Sequence, residues 1–331
     1  MPQYKNIGVR FVQPRPSMMT RYLCGWLIAG GIILVDAIWL CVADYTVQMD
    51  GIVAACKGVG ILACIAVILR ILRAIPRYGS TTVKFRYAET SDIAAWCALL
   101  VCFVSSMCVL SYLCVSVNAP LVERNLVRFD LAVGFDWVAA YQWVQTHPHV
   151  LRVLALAYDS GRWQLLTIPF ILGLSGRREA LSDFFFLLAL ASILLLVSST
   201  PFPAASAFVY FNIGDPNVVA TVSDFAPLRN GTLRAIDLAN SQGLVSMPSF
   251  HAALAVLFTY SLRRMPWFFG FAAALNLTMI ISTPTQGGHY LADVVGGLLL
   301  AALTIQMLRT GYRRRTASAS AVAAIERVLP H

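Results

Sequence analysis

Eight stretches of this chain are apolar for long enough to cross a lipid bilayer, and that fixes the solvent for which the fold is built. They lie near 22–43, 52–69, 93–117, 150–174, 184–200, 244–262, 266–284 and 289–308. A helix needs about 20 such residues to cross the hydrocarbon core, and in lipid the backbone must satisfy its own hydrogen bonds. Each run is therefore predicted to be a helix, and the fold class is all-α, a polytopic transmembrane bundle of about eight spans. Charged residues make up only 12% of the chain, half the share of about 25% typical of soluble domains. A secreted disulfide scaffold, a disordered chain and an ordinary cytosolic enzyme are all disfavoured. The first run is too long for a cleavable signal peptide and has no small-residue cleavage site close behind it, so it reads as a retained anchor.

The net charge of +9 raises the question of a nucleic-acid partner, and the positions of the basic residues answer it. One alternate set of segments carries eighteen, among them Lys5, Arg10, Arg15, Arg21, Arg70, Arg73, Arg77, Arg177, Arg178, Arg263, Arg264, Arg309 and Arg313–Arg315. The opposite loops carry four: Arg124, Arg128, Arg229 and Arg234. Cytoplasmic loops hold the excess of Lys and Arg, so both termini are expected in the cytoplasm of a cell inner (plasma) membrane. Topology, with anionic lipid near the basic tail 309–331, accounts for the charge, and no nucleic acid is needed. The eight cysteines all fall in or beside the first three runs, with no CxxC pair. They are expected to be buried thiols behaving as small hydrophobes.

Four regions follow: a three-span N-terminal region (1–117), an outer interfacial segment (118–149), a catalytic membrane core (150–308) and the tail (309–331). The outer segment sets Phe129, Phe135, Trp137, Tyr141 and Trp143 among polar residues, as in an amphipathic stretch at the headgroup level. The long loop 201–243, with Pro201, Pro203, Pro216 and Pro227, reads as turns and ordered coil.

Two of the five histidines open two spans on one face. His251 lies in SMPSFH and His289 in GGHYLADVVGG, and an ionisable group at such a position is a functional hypothesis by default. His289 and Asp293 are four residues apart and share a helix face. A carboxylate there fixes the ring tautomer and raises the basicity of the other nitrogen. Ser246 or Ser249 can cap the helix that Pro248 opens, and a helix N-terminus attracts phosphate. Two histidines and an orienting acid at such a place fit phosphoryl transfer, one attacking phosphorus and the other protonating the leaving oxygen. The same His–Asp spacing suits zinc, but no third Cys or Glu lies nearby, so no metal and no cofactor are expected.

Pro248-Ser249-Phe250-His251 and Gly288-His289-Tyr290-Leu291-Ala292-Asp293 resemble the last two motifs of the type-2 phosphatidic acid phosphatase superfamily. SMPSFHAALAVLF followed by GGHYLADVVGG looks most like its branch of fungal inositol phosphorylceramide synthases, with sphingomyelin synthases more distant. The resemblance covers roughly 165–308. It implies a metal-independent six-helix core in which His289 is the nucleophile, His251 the acid and Asp293 the partner of His289. The chain departs from the phosphatases in two places. Their Lys-x6-Arg-Pro motif has only Arg15-Pro16 as a counterpart, with Gly8 in the Lys slot, and their Ser-Arg reads Ser282-Thr283. Cations cradle a dianionic monoester through charge-assisted hydrogen bonds, so their loss favours a phosphodiester donor. The expectation is a lipid phosphotransferase working through a phosphohistidine, with lipid substrates as partners. The alternatives are a lipid phosphate phosphatase, of the phosphatidate or polyprenyl pyrophosphate type, and a non-catalytic lipid-binding protein. Ser246, Ser249, Gly288, Arg162 and Arg234 are the candidate substrate contacts, and the site is expected on the periplasmic or outer face.

Two further expectations concern charges and lengths. Asp36 and Lys57 are expected to pair within the membrane, as are Asp159 and Arg162 on one helix. His251 stands 12 residues before Arg263, about 18 Å of helix, and His289 stands 20 before Arg309, about 30 Å. Tilt or a protruding helix is expected to reconcile them.

Overall fold

The computed structural model describes residues 17–328, with side chains described for all of these except 216–217 and 312–328. Lys5, Arg10, Arg15-Pro16 and most of the basic tail fall outside the described side chains. Among the described residues, six helices are long and apolar enough to cross a membrane. These are α1 (Met18–Ala43), α2 (Met49–Ala74), α4 (Tyr87–Ser116), α8 (Arg178–Ser199), α13 (Pro266–Gly287) and α14 (Leu291–Val328, apolar over Leu291–Gly311). A short α3 (Gly79–Lys84) precedes α4. The run at 150–174 lies within a 27-residue helix, α7 (Pro148–Leu174), which carries Arg152, Asp159 and Arg162. The run at 244–262 gives only 12 helical residues, α12 (Phe250–Ser261). Ser246 to Ser249 instead form a non-helical approach, and the Ser249 side chain accepts the Ala252 N–H at the helix start.

Helix α4 is the central post. It packs on α1, α2, α7 and α8, and Leu99, Phe103, Tyr112 and Leu113 are fully buried. Aromatic rings join it to its neighbours: Trp96 and Phe103 both meet Phe185 of α8, at 5.7 and 5.4 Å between centroids. Helix α12 lies inside the second half of the bundle, against α7, α8, α13 and α14. The outer faces stay apolar, with Ile61, Ile68 and Ile71 of α2 and Trp163 and Phe170 of α7 exposed. Such a surface belongs in lipid.

Several sequence expectations change here. Asp36 and Lys57 do not pair: Asp36 is turned inward with Oδ1 unpartnered among the described residues, while Lys57 is exposed on α2. The two helices pack on α4 rather than on each other, which keeps the charges apart. All eight cysteines are free, but Cys24, Cys41, Cys56 and Cys64 are exposed on the outward faces of α1 and α2 rather than buried. The length mismatch is resolved at the histidine end. Arg263 and Arg309 meet at the same ring, Tyr260, with guanidinium carbons 3.7 and 5.1 Å from its centroid, so α12 and α14 are level there. At the opposite end α12 starts beside Gly296 and Gly297 of α14, where an added Cβ on Gly297 would collide with the Ser249 carbonyl. Helix α12 is thus short by about one and a half turns, roughly 9 Å.

The outer segment forms α5 (Glu123–Ala132) and α6 (Trp137–Gln145), the latter capped by Asp136. The loop 201–243 contains α9 (Ala207–Tyr210), α10 (Pro216–Ala220) and α11 (Phe225–Arg229). Strand β2 (Ala235–Ile236) in that loop pairs in parallel with β1 (Thr46–Val47), joining the loop to the α1–α2 turn.

Candidate active site

Helix α13 is capped by Gly288, whose positive φ of 63° a side chain would strain and whose surroundings leave no room for one beside Ser206 and Phe208. Its carbonyl accepts from Ala207 N–H at 2.8 Å and from the Ser206 hydroxyl at 3.0 Å. His289 follows and is 5% exposed. Its Nδ1 lies 3.0 Å from the Ser246 carbonyl oxygen. A carbonyl can only accept, so Nδ1 carries the proton and Nε2 keeps its lone pair.

Asp293 is fully buried, with Oδ2 3.5 Å from the same Nδ1. That oxygen accepts the Ser246 hydroxyl at 2.8 Å and Tyr290 N–H at 3.0 Å, while Oδ1 has no partner among the described residues. The carboxylate therefore stands beside the imidazole, and the main hydrogen bond of Nδ1 is the one it donates to the Ser246 carbonyl. Ser249 N–H donates to the Asp293 carbonyl at 2.9 Å, stitching the start of α12 to α14.

His251 has a different setting. Its ring stacks on Tyr158 of α7, with centroids 4.1 Å apart and planes at 23°. It also lies over Gly161, where an added Cβ would stand 3.6 Å from its Cδ2. Neither ring nitrogen has a hydrogen bond among the described residues. The hydroxyl of Tyr158 reaches toward Gly287, where an added Cβ would lie 2.6 Å from Oη and 2.8 Å from Cδ2 of His289. One tyrosine therefore touches the surroundings of both histidines.

A narrow recess beside His289 is lined by Ser206, Val222, Phe225, Ser246 and Gly287, and no Lys or Arg lines it. The candidate contacts divide accordingly. Ser246 and Gly288 lie with His289. Ser249 is fully buried as the α12 cap. Arg162, one turn after Tyr158, bonds Asp159 at 3.1 Å with its side chain mostly exposed, in the pairing expected from their spacing. Arg234 is not brought to the histidines. It donates to the carbonyls of Ala43 and Gly231 and covers the Tyr45 ring at 4.7 Å, which ties up its guanidinium beside the end of α1. Among the described residues no cluster of three His, Cys, Asp or Glu is arranged to hold a metal ion.

A family model described as the PAP2 superfamily matches residues 124–307, more than half of the chain. The chain belongs to the PAP2 superfamily. Its members are helical membrane proteins, generally phosphatases or phosphotransferases. No curated protein and no solved structure gives a match. The PAP2 match begins well before 150 and takes in α5 and α6, which brace the histidine end. Asp130 of α5 accepts the N–H groups of Leu291 and Ala292 at 2.9 and 3.0 Å, capping α14 from a distance. Burial raises its carboxyl above the ordinary range, against those two hydrogen bonds, and nearby Asp293 raises it further. Burial likewise pushes the Tyr290 hydroxyl up, and that hydroxyl donates to the Ala205 carbonyl. Trp137 of α6 donates to the carbonyls of Pro284 and His289, at 3.2 and 3.1 Å. Sequence reading did not single out Asp130, Tyr158 or Ser206, and it placed Trp137 only as an interfacial ring. The available signal was Asp130 itself, an acid within an amphipathic segment.

Proposed function

We propose that this chain is a membrane lipid phosphotransferase that moves a phosphorylated head group between lipids through a phosphohistidine. The observation that carries the reading is the His289 Nδ1–Ser246 carbonyl bond, which leaves Nε2 as the free base beside a recess. Nε2 attacks phosphorus of a phosphodiester donor, and the bond from phosphorus to the donor's alcohol oxygen breaks. His251 gives its proton to that oxygen, and the head-group phosphate stays on His289. The acceptor hydroxyl then attacks phosphorus, His251 takes its proton, and the P–N bond breaks to restore His289. Asp293, 3.5 Å from Nδ1, offsets the positive charge that the ring carries while phosphorylated. A recess without Lys or Arg suits a singly charged diester better than a dianionic monoester. Within this reading, the wording of both motifs points to the branch resembling inositol phosphorylceramide synthase.

The orientation belongs to the same proposal: both termini cytoplasmic in a cell inner (plasma) membrane, with the histidines at the outer face. The structure's contribution is that Arg177, Arg178, Arg263, Arg264 and Arg309 gather at the end of the bundle away from His289. A cysteine at Asn230 should label from outside intact cells, and one at Thr316 should not.

The deciding experiment supplies purified wild-type and His289→Ala protein with phospholipids labelled in the phosphate, plus ceramide and diacylglycerol as acceptors. Label appearing in a new lipid, absent with the variant, is the expected result. Label released only as soluble phosphate would make the chain a phosphatase. Equal activity in both proteins would remove His289 from the chemistry.

A further inference from the structure

At the end of the bundle opposite the histidines, the α7–α8 and α12–α13 turns face each other across a cavity of about 290 Å³ open to the surface. Helix α13 connects the two places: Met265 precedes its start and lines the cavity, and Gly287 ends it beside His289. Its 22 residues separate them by about 33 Å.

Four arginines line the cavity, Arg177 and Arg178 from one turn and Arg263 and Arg264 from the other, against two acids, Glu179 and Asp183. The acids do not balance them. Asp183 is bonded to Arg21 of α1. Arg178 is held at its rim by Asp92 of α4, at 2.7 Å. The two turns are locked together, since Arg177 donates to the Arg264 carbonyl at 3.1 Å. Arg263 is fixed over the Tyr260 ring and donates to the Tyr260 carbonyl. The Arg264 guanidinium has no hydrogen bond among the described residues. Helix α8 opens on the same space without a side-chain cap at its N-terminus, which adds partial positive charge. Burial pushes the Arg263 guanidinium below its ordinary value. Tyr260 and Asp183 oppose this, while the like charges of Arg264 and Arg309 add to it.

A surplus of positive charge at helix ends is what loop topology alone requires. Topology does not require that it converge from two separate turns on one cavity with like charges adjacent. An anion seated there would meet several guanidinium groups at once. We infer that this cavity is a binding site for a phosphate-bearing anion, separate from the histidine site. Its place at the ends of spans matches the headgroup level of an anionic phospholipid, and the same chemistry would hold free phosphate.

The test uses full-length protein in phosphatidylcholine nanodiscs, with phosphatidylglycerol or inorganic phosphate as the probe. Native mass spectrometry reads retained lipid, and thermal unfolding reads phosphate binding. The Arg263→Gln/Arg264→Gln pair should weaken binding about tenfold, the scale of one lost charge-assisted hydrogen bond. Lys84→Gln, which removes a charge outside the cavity, should leave binding unchanged. Retention of phosphatidylglycerol over phosphatidylcholine identifies the lipid as source. Stabilisation by inorganic phosphate without lipid preference identifies free phosphate. Equal weakening by Lys84→Gln, or no preference for either probe in the wild type, overturns the site. If the pair of substitutions prevents folding, Arg264→Gln alone carries the test. Activity is not a readout, so the result stands apart from the proposed phosphotransfer.

Discussion

The two histidines open parallel helices at the same end of the bundle, yet they are held by opposite means. His289 sits in a polar frame, with a backbone carbonyl on Nδ1, a carboxylate at 3.5 Å, and glycine and tryptophan contacts fixing the turn that carries it. His251 sits on an aromatic ring with both nitrogens unclaimed among the described residues. A nucleophile must present one nitrogen in one protonation state throughout, and a hydrogen bond to a non-titrating carbonyl secures that. A group that gives a proton in one step and takes one in the next must exist in both states. A stacking partner holds its ring and leaves both nitrogens open to gain or lose that proton.

This contrast can be broken by substitution, and the largest effect is expected at the nucleophile. His289→Ala should lower transfer by on the order of 10⁴-fold or more, and no labelled protein should be trapped on rapid acid-free quenching. His251→Ala should cost about 10²- to 10⁴-fold. A donor whose leaving group needs no proton, such as a p-nitrophenyl phosphodiester, should recover most of that loss and should not rescue His289→Ala. Equal recovery in both would erase the distinction between them. Asp293→Asn should cost less, on the order of 10- to 100-fold, the scale of one lost interaction with a charged group, because Ser246 keeps the tautomer. Tyr158→Phe preserves the stack and removes only a hydroxyl, so kcat should fall by about tenfold at most, whereas Tyr158→Ala should approach the His251→Ala level.

The smallest effect is expected on stability, at Asp130. Asp130→Ala leaves two N–H groups of α14 without their acceptor and should cost about 1–2 kcal/mol, read as a lower Tm. Burial raises this carboxyl in the folded protein, so the fold holds its proton to higher pH than the unfolded chain does. Its contribution is complete below the ordinary carboxylate range and declines as pH rises through the raised value. Asp130→Asn should flatten that part of the Tm profile.

The elements that sequence made legible are those with a local signal. Apolar runs located the spans, and the Asp159–Arg162 pair and the association of His289 with Asp293 followed from helical spacing. The supports of the two histidines were not legible, because Tyr158, Asp130 and Trp137 arrive from segments 93 to 159 residues away from the histidines. The 244–262 run also misled, since apolarity does not report that Ser246 and Ser249 are spent on Asp293 and on a cap. Asp36 and Lys57 share a depth but not a neighbour, and only the packing on α4 reveals it.

The late start of α12 gives the proposed reaction a direction across the membrane. His289 precedes α14, while His251 stands in the first turn of a helix that begins level with Gly296 and Gly297. The bond being made therefore lies nearer the water, and the bond being broken lies nearer the hydrocarbon. An alcohol released there with two acyl chains is already in the layer that dissolves it, and an incoming lipid hydroxyl reaches phosphorus from that same side, opposite the P–N bond, where His251 takes its proton. The offset between two helices acts as a phase boundary drawn through a single phosphorus atom, sorting what leaves from what stays by solubility.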